Sequence, residues 1–76
     1  MARPLNEIAN EIHKDWKPVN YGAVPYLNAM SSLNEIDDDY GADSGRSVVR
    51  YFLANAQTWR GEVAKRIKKE LNAMLK

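Results

Sequence analysis

Apolar residues recur every three or four positions through four stretches of this 76-residue chain. Nowhere do they alternate with period two for long enough to mark a strand. In the first stretch Leu5, Ile8, Ile12 and Trp16, with Ala9 beside them, form one stripe that predicts a helix over residues 4–15. Pro4 suits a first helical turn, where its missing N–H is not needed. Lys17-Pro18 closes the segment, because the residue before a proline is pushed out of helical geometry. Glu7, Glu11 and Lys14 face outward, with Glu11 and Lys14 spaced as an i,i+3 pair.

The second helix is expected over residues 22–36. Asn20 offers a cap for an early start, and Pro25 suits a first turn beginning near Val24. Tyr26, Met30 and Leu33 make its main seam, Ala23 and Leu27 its flank, and Asn28, Ser31 and Ser32 its polar side. A third helix, over residues 44–56, follows Asp43 or Ser44, both good N-caps. Val48, Val49, Phe52, Leu53 and Ala56 line its apolar face, and Tyr51 falls off it. The fourth spans residues 59–75, with Thr58 as its cap and a stripe of Trp59, Val63, Ile67, Leu71 and Met74. The expected fold is a single all-α domain over residues 1–76, a small bundle of four short helices. Its core should draw on Ile8, Ile12, Trp16, Leu27, Met30, Leu33, Val49, Phe52, Leu53, Trp59, Val63, Ile67 and Leu71.

A chain of this size buries only about 60% of the surface its unfolded form exposes, which leaves little room for a deep, dry active site. With 45% apolar and 28% charged residues, the balance is that of a globular chain rather than a disordered one. No apolar run approaches the roughly 18 residues of a membrane span. The first residues lack the apolar stretch of a secretory signal, so none is expected. Absence of cysteine removes disulfides and thiolate metal sites and fits a reducing cytoplasm.

Net charge is +1, but unevenly spread. Residues 1–44 hold eight acids against three bases, and residues 45–76 hold eight bases against two acids. Such asymmetry fits either a basic surface for nucleic acid or two halves that attract each other on folding, and the second reading is preferred.

Four aspartates crowd the run IDDDYGADSGRS at residues 36–47. A calcium loop of the EF-hand kind needs oxygen ligands at positions 1, 3 and 5, glycine at 6 and glutamate at 12. Counting from Asp37 puts Ala42 at position 6 and Val48 at position 12; counting from Asp39 puts Ser44 and Arg50 there. Neither register works. The run therefore reads as a join, with Arg46 and Arg50 one helical turn apart and placed to neutralise it. No metal site and no cofactor is expected. His13 is the only histidine, the serines have no neighbouring base, and Gly22, Gly41, Gly45 and Gly61 form no phosphate-cradling motif. Nor is catalysis expected.

Two kinds of contact surface remain. The segment VNYGAVPYLNAM gathers aromatic and apolar residues, and Tyr51 points off the third helix. Tyrosine and arginine are enriched in protein interfaces, so Tyr21, Tyr26, Tyr51 and Arg60 are the expected protein-contact residues, for a partner or a second copy of the chain. As the second choice, Lys65, Lys68, Lys69 and Lys76 on the last helix present a row for nucleic-acid phosphates. Its solvated alternative is reinforced by Glu62–Arg66 and Arg66–Glu70 pairs at i,i+4.

The segments DWKPVNYGAVPYLNAM and YFLANAQTWRGEVAKRIKKEL resemble those of small uncharacterised proteins encoded by bacteriophages of actinobacteria, over about residues 8–71. That resemblance implies a protein acting in the cytoplasm of a bacterial host. It brings no known activity and assigns no residue a role.

Overall fold

The computed structural model describes residues 3–41 and 43–76. Four helices carry the chain: α1 (Leu5–Asp15), α2 (Val24–Met30), α3 (Gly45–Ala54) and α4 (Glu62–Leu75). A 3-10 turn over Tyr21–Ala23 leads into α2, and a hairpin of β1 (Asp39–Tyr40) and β2 (Asp43–Ser44) separates α2 from α3. The class is the expected all-α one, with the hairpin as a small addition. Strands of two residues are too short to leave a period-two signature.

Pro4 stands at the N-cap of α1 and offers no side-chain acceptor. The free amides of the first turn are satisfied across the fold instead. Leu5 and Asn6 donate to the carbonyls of Asn34 and Leu33, at 2.8 and 2.9 Å. This tie accounts for the largest departure from the expected helices. Instead of running to residue 36, α2 stops at Met30. The Ser31 hydroxyl and the Ser32 and Leu33 amides donate to the carbonyls of Leu27, Ala29 and Met30, closing the helix with a tight turn. A continued helix would aim the carbonyls of Leu33 and Asn34 at amides four residues on, leaving α1 without its cap.

The chain then folds around Asp38, whose Oδ2 accepts from the amides of Asn34 and Glu35 at 3.1 and 3.0 Å. In the hairpin Asp39 pairs with Ser44 and Tyr40 with Asp43. Gly41, at φ 61°, supplies the left-handed residue of the turn. Ser44 caps α3 as its sequence position predicts, its Oγ accepting from the Ser47 amide at 3.2 Å. Gly45 sits where a side chain has no room: a Cβ there would lie 2.6 Å from the Ile36 carbonyl oxygen.

Two further boundaries differ from expectation. α3 ends at Ala54 rather than residue 56, and both the Asn55 amide and its side chain donate to the Tyr51 carbonyl. α4 starts at Glu62, not at residue 59, and Thr58 takes no part in its cap. The chain enters at Gly61, whose φ of 114° strains any residue with a Cβ, and the Gly61 carbonyl accepts the first helical bond, from Lys65.

At the centre of the core, Trp16 stacks on Trp59 and Phe52 packs edge-on against both, at 6.2 and 6.4 Å. Leu5, Ile8, Ile12, Leu27, Met30, Val49, Ile67 and Leu71 surround them, fully buried. Two expected core residues, Leu53 and Val63, are only half-buried at its margin. Small residues carry more of the close packing than the stripes suggest: Ala9, Ala23, Ala29, Ala56 and Ala64 are all buried. Of the seam expected for the second helix, Met30 and Leu33 are buried, but Tyr26 is displaced to the edge, and Leu27, with Ala23 of the 3-10 turn, is fully buried in its place.

Candidate functional site

Helices α2 and α3 pack side by side, and the shift of Tyr26 to the edge brings it against α3. Its ring stacks on that of Tyr51, with centroids 5.4 Å apart and planes 24° apart. Tyr51 remains 53% exposed. Tyr21, on the 3-10 turn, is 90% exposed, the most open of the large apolar side chains described. Its turn is held to the end of α3: Asn20 Oδ1 accepts from the Gly22 amide, and Asn20 Nδ2 donates to the Asn55 carbonyl at 3.3 Å. Tyr51 thus sits on α3, and Tyr21 and Tyr26 on two elements held against that helix, not on a free loop. A further exposed aromatic, Tyr40, tips the hairpin and was not singled out by the pattern. Its signal is composition alone, an aromatic set among aspartates and glycine.

Arg60 lies on the other side of Trp59 in the chain and is exposed. Together with Lys65 and Lys68 it lines a concavity of about 290 Å³ whose floor is Trp59 and the start of α4. Lys68 is half-buried there. Its Nζ donates to the Trp59 carbonyl at 2.6 Å and stands 6.0 Å from the centre of the Trp59 ring. Burial, and then the nearby Arg60 charge, hold its pKa below the usual lysine value. The expected row of four lysines is therefore divided. Lys65, Lys69 and Lys76 are exposed, whereas the Lys68 head group is anchored to the backbone.

Six other charged side chains tie segments together through ion pairs. Glu11 does not pair with Lys14; it bonds to Arg66 of α4 and to Arg3, the latter at 2.8 Å. Arg3 also forks onto Glu70 through Nε and Nη2, at 3.0 and 2.8 Å. The expected pairs within α4, Glu62–Arg66 and Arg66–Glu70, give way to these bonds between helices. Hydrogen bonds from Arg66 and Arg3 lower the Glu11 pKa, and the Arg3 bond lowers that of Glu70. Arg46 bonds to Asp37 at 3.0 Å and donates to the Leu75 carbonyl at 3.3 Å, placing a cation at the negative end of α4. Attraction between the acidic and basic halves is visible in Glu11–Arg66 and Asp37–Arg46.

These bonds also answer the aspartate run. Asp37 is paired with Arg46 and Asp38 caps the turn, so two of its carboxylates have structural partners. Among the described residues no three His, Asp or Glu side chains are grouped as metal ligands. Another concavity, of about 560 Å³, lies between Pro4, the 34–37 turn and Met74. Its Arg3 and Asp37 are already engaged in the ion pairs above. His13 is exposed on α1. No described helix is long and apolar enough to cross a membrane.

No family model, curated protein or solved structure matches the chain.

Proposed function

We propose that this is a non-enzymatic, phage-type protein that binds a host or phage protein and alters its action through the face carrying Tyr21, Tyr26 and Tyr51. One observation carries the reading: Tyr21 is 90% exposed beside a scaffold on which Tyr26 and Tyr51 are stacked and half open. Rigid aromatic groups of this kind bury large areas at little entropic cost, which suits a binding hot spot. Arg60 belongs to a different local cluster, around Trp59, and is assigned to this face only through its residue type. Cytoplasmic action in a bacterial host is part of the proposal and rests on the resemblance to actinobacterial phage proteins.

The test is recovery of partners by the tagged chain from an actinobacterial host, with and without nuclease, alongside Tyr21→Ala and Tyr51→Ala. A discrete protein that survives nuclease and moderate salt, and is lost with either substitution, supports the proposal. Unchanged recovery by both folded variants removes it.

The second reading, nucleic-acid binding along α4, is favoured by the exposure of Lys65, Lys69 and Lys76, none of which has a carboxylate partner among the described residues. With Lys68 anchored to Trp59, it rests on three cations rather than four. It requires binding that weakens steeply as salt rises.

A further inference from the structure

Arg3, Arg46 and Arg66 each meet a carboxylate. Arg60, Lys65 and Lys68 do not, among the described residues, although they share the walls of one concavity. Glu62, the acid nearest in sequence, does not line it. We propose that Arg60, Lys65 and Lys68 form a binding site for a phosphate group, seated in the concavity above Trp59.

The geometry suits such a ligand in three ways. First, the floor is rigid: Trp59 is 2% exposed and wedged between Trp16 and Phe52. Second, the Lys68 head group is positioned in advance. It spends one donor on the Trp59 carbonyl at 2.6 Å and keeps two in hand. Third, Arg60 and Lys68 line the same concavity, and burial, then the Arg60 charge, disfavours protonation of Lys68. An anion between them would relieve that repulsion. Phosphate fits better than carboxylate, since its oxygens point in several directions and can meet a planar guanidinium and two ammonium groups at once. The buried indole presents no free face, so the site would take the phosphate without stacking a base. None of Tyr21, Tyr26 and Tyr51 lines this site, and it does not depend on them.

Amide NMR spectra of the whole chain at low ionic strength supply the test, with inorganic phosphate, chloride at matched ionic strength, and a short single-stranded oligonucleotide lacking terminal phosphates. Saturable shifts confined to residues around Trp59, Arg60, Lys65 and Lys68 are expected with a phosphate probe and not with chloride. Response to inorganic phosphate identifies a free or terminal phosphate as the source, and response to the oligonucleotide alone identifies a backbone phosphate. Arg60→Gln and Lys65→Gln, both at exposed positions, should each weaken binding by about tenfold. Equal shifts with chloride, shifts spread evenly to Lys69 and Lys76, or undiminished binding by the folded double variant would each overturn the assignment.

Discussion

The indole of Trp16 lies almost flat on that of Trp59, with ring centroids 5.5 Å apart and planes 11° apart. These are the chain's two tryptophans, and they join the end of α1 to the approach to α4. Asp15 adds a polar link, accepting from Trp59 Nε1 at 2.9 Å. The pair fastens the first and last helices at the point where Phe52 of α3 also arrives.

Trp59→Ala should cost about 3–5 kcal/mol, the usual penalty for emptying an aromatic core site. A domain of this size, stable by about 0.05–0.15 kcal/mol per residue, has little to spare. Asp15→Asn, which keeps an acceptor but loses its charge, should cost about 1 kcal/mol or less. Urea unfolding followed by near-ultraviolet circular dichroism would rank the two. Comparable losses would deny Trp59 its central place.

Acid should weaken the fold through Glu11 and Glu70. Both carboxyls titrate below the usual glutamate range in the folded chain, held down by hydrogen bonds from Arg66 and Arg3 to Glu11 and from Arg3 to Glu70. A depressed folded pKa gives stability that is fully present above the unfolded value and is lost as pH falls through the folded one. The melting temperature should therefore be insensitive to these groups from neutral pH down to about 5 and fall below about 4.5. Glu11→Gln with Glu70→Gln should lower it at neutral pH and flatten the acid limb. Because these side chains are partly exposed, the difference should shrink in high salt. An unchanged acid limb in the double variant would exclude them as its source.

Gly45→Ala and Gly41→Ala separate crowding from backbone strain. A Cβ on Gly45 would press on the Ile36 and Glu35 carbonyl oxygens, at 2.6 and 3.1 Å, and should cost about 1–3 kcal/mol. A Cβ on Gly41 meets nothing within 4 Å but must adopt a φ of 61°. That change should cost about 1–2 kcal/mol. Thermal melting measures both, and a neutral Gly45→Ala would mean that the Asp38 turn yields easily.

Asp38→Ala removes the acceptor of two backbone amides and should cost about 1 kcal/mol or more. Calcium and a chelator should leave the melting temperature of the unaltered chain unchanged, since Asp37 and Asp38 already have partners. A rise with calcium would show that the run holds an ion after all.

Much of the helical pattern is legible in the residues, because a stripe at three-to-four spacing has one physical reading. Ser44 as a cap is equally local. What escapes the pattern is decided by contacts distant in sequence. Residues 31–36 carry apolar residues that could extend α2, yet the carbonyls of Leu33 and Asn34 are drawn to α1. Trp59 belongs to an apparent α4 stripe, yet it packs from the preceding loop because the helix cannot turn in until Gly61. The charge pairs expected within α4 were displaced by Arg3 and Glu11, which lie far away in the chain. For the contact surfaces, residue type marked Tyr21, and Tyr51 was marked also by its place off the apolar stripe of the third helix. Neither the Tyr26–Tyr51 stack nor the anchoring of Lys68 by Trp59 can be read without the packing of the helices.

The cap of α1 sets a schedule for the growing chain. Its first amides find their acceptors only on residues made almost thirty positions later, and an isolated helix of 11 residues is marginal in water. On the ribosome, the N-terminal segment should stay unfolded and open to proteases until Leu33 and Asn34 have emerged. Release of α1 from that waiting state belongs to the assembly of the whole domain.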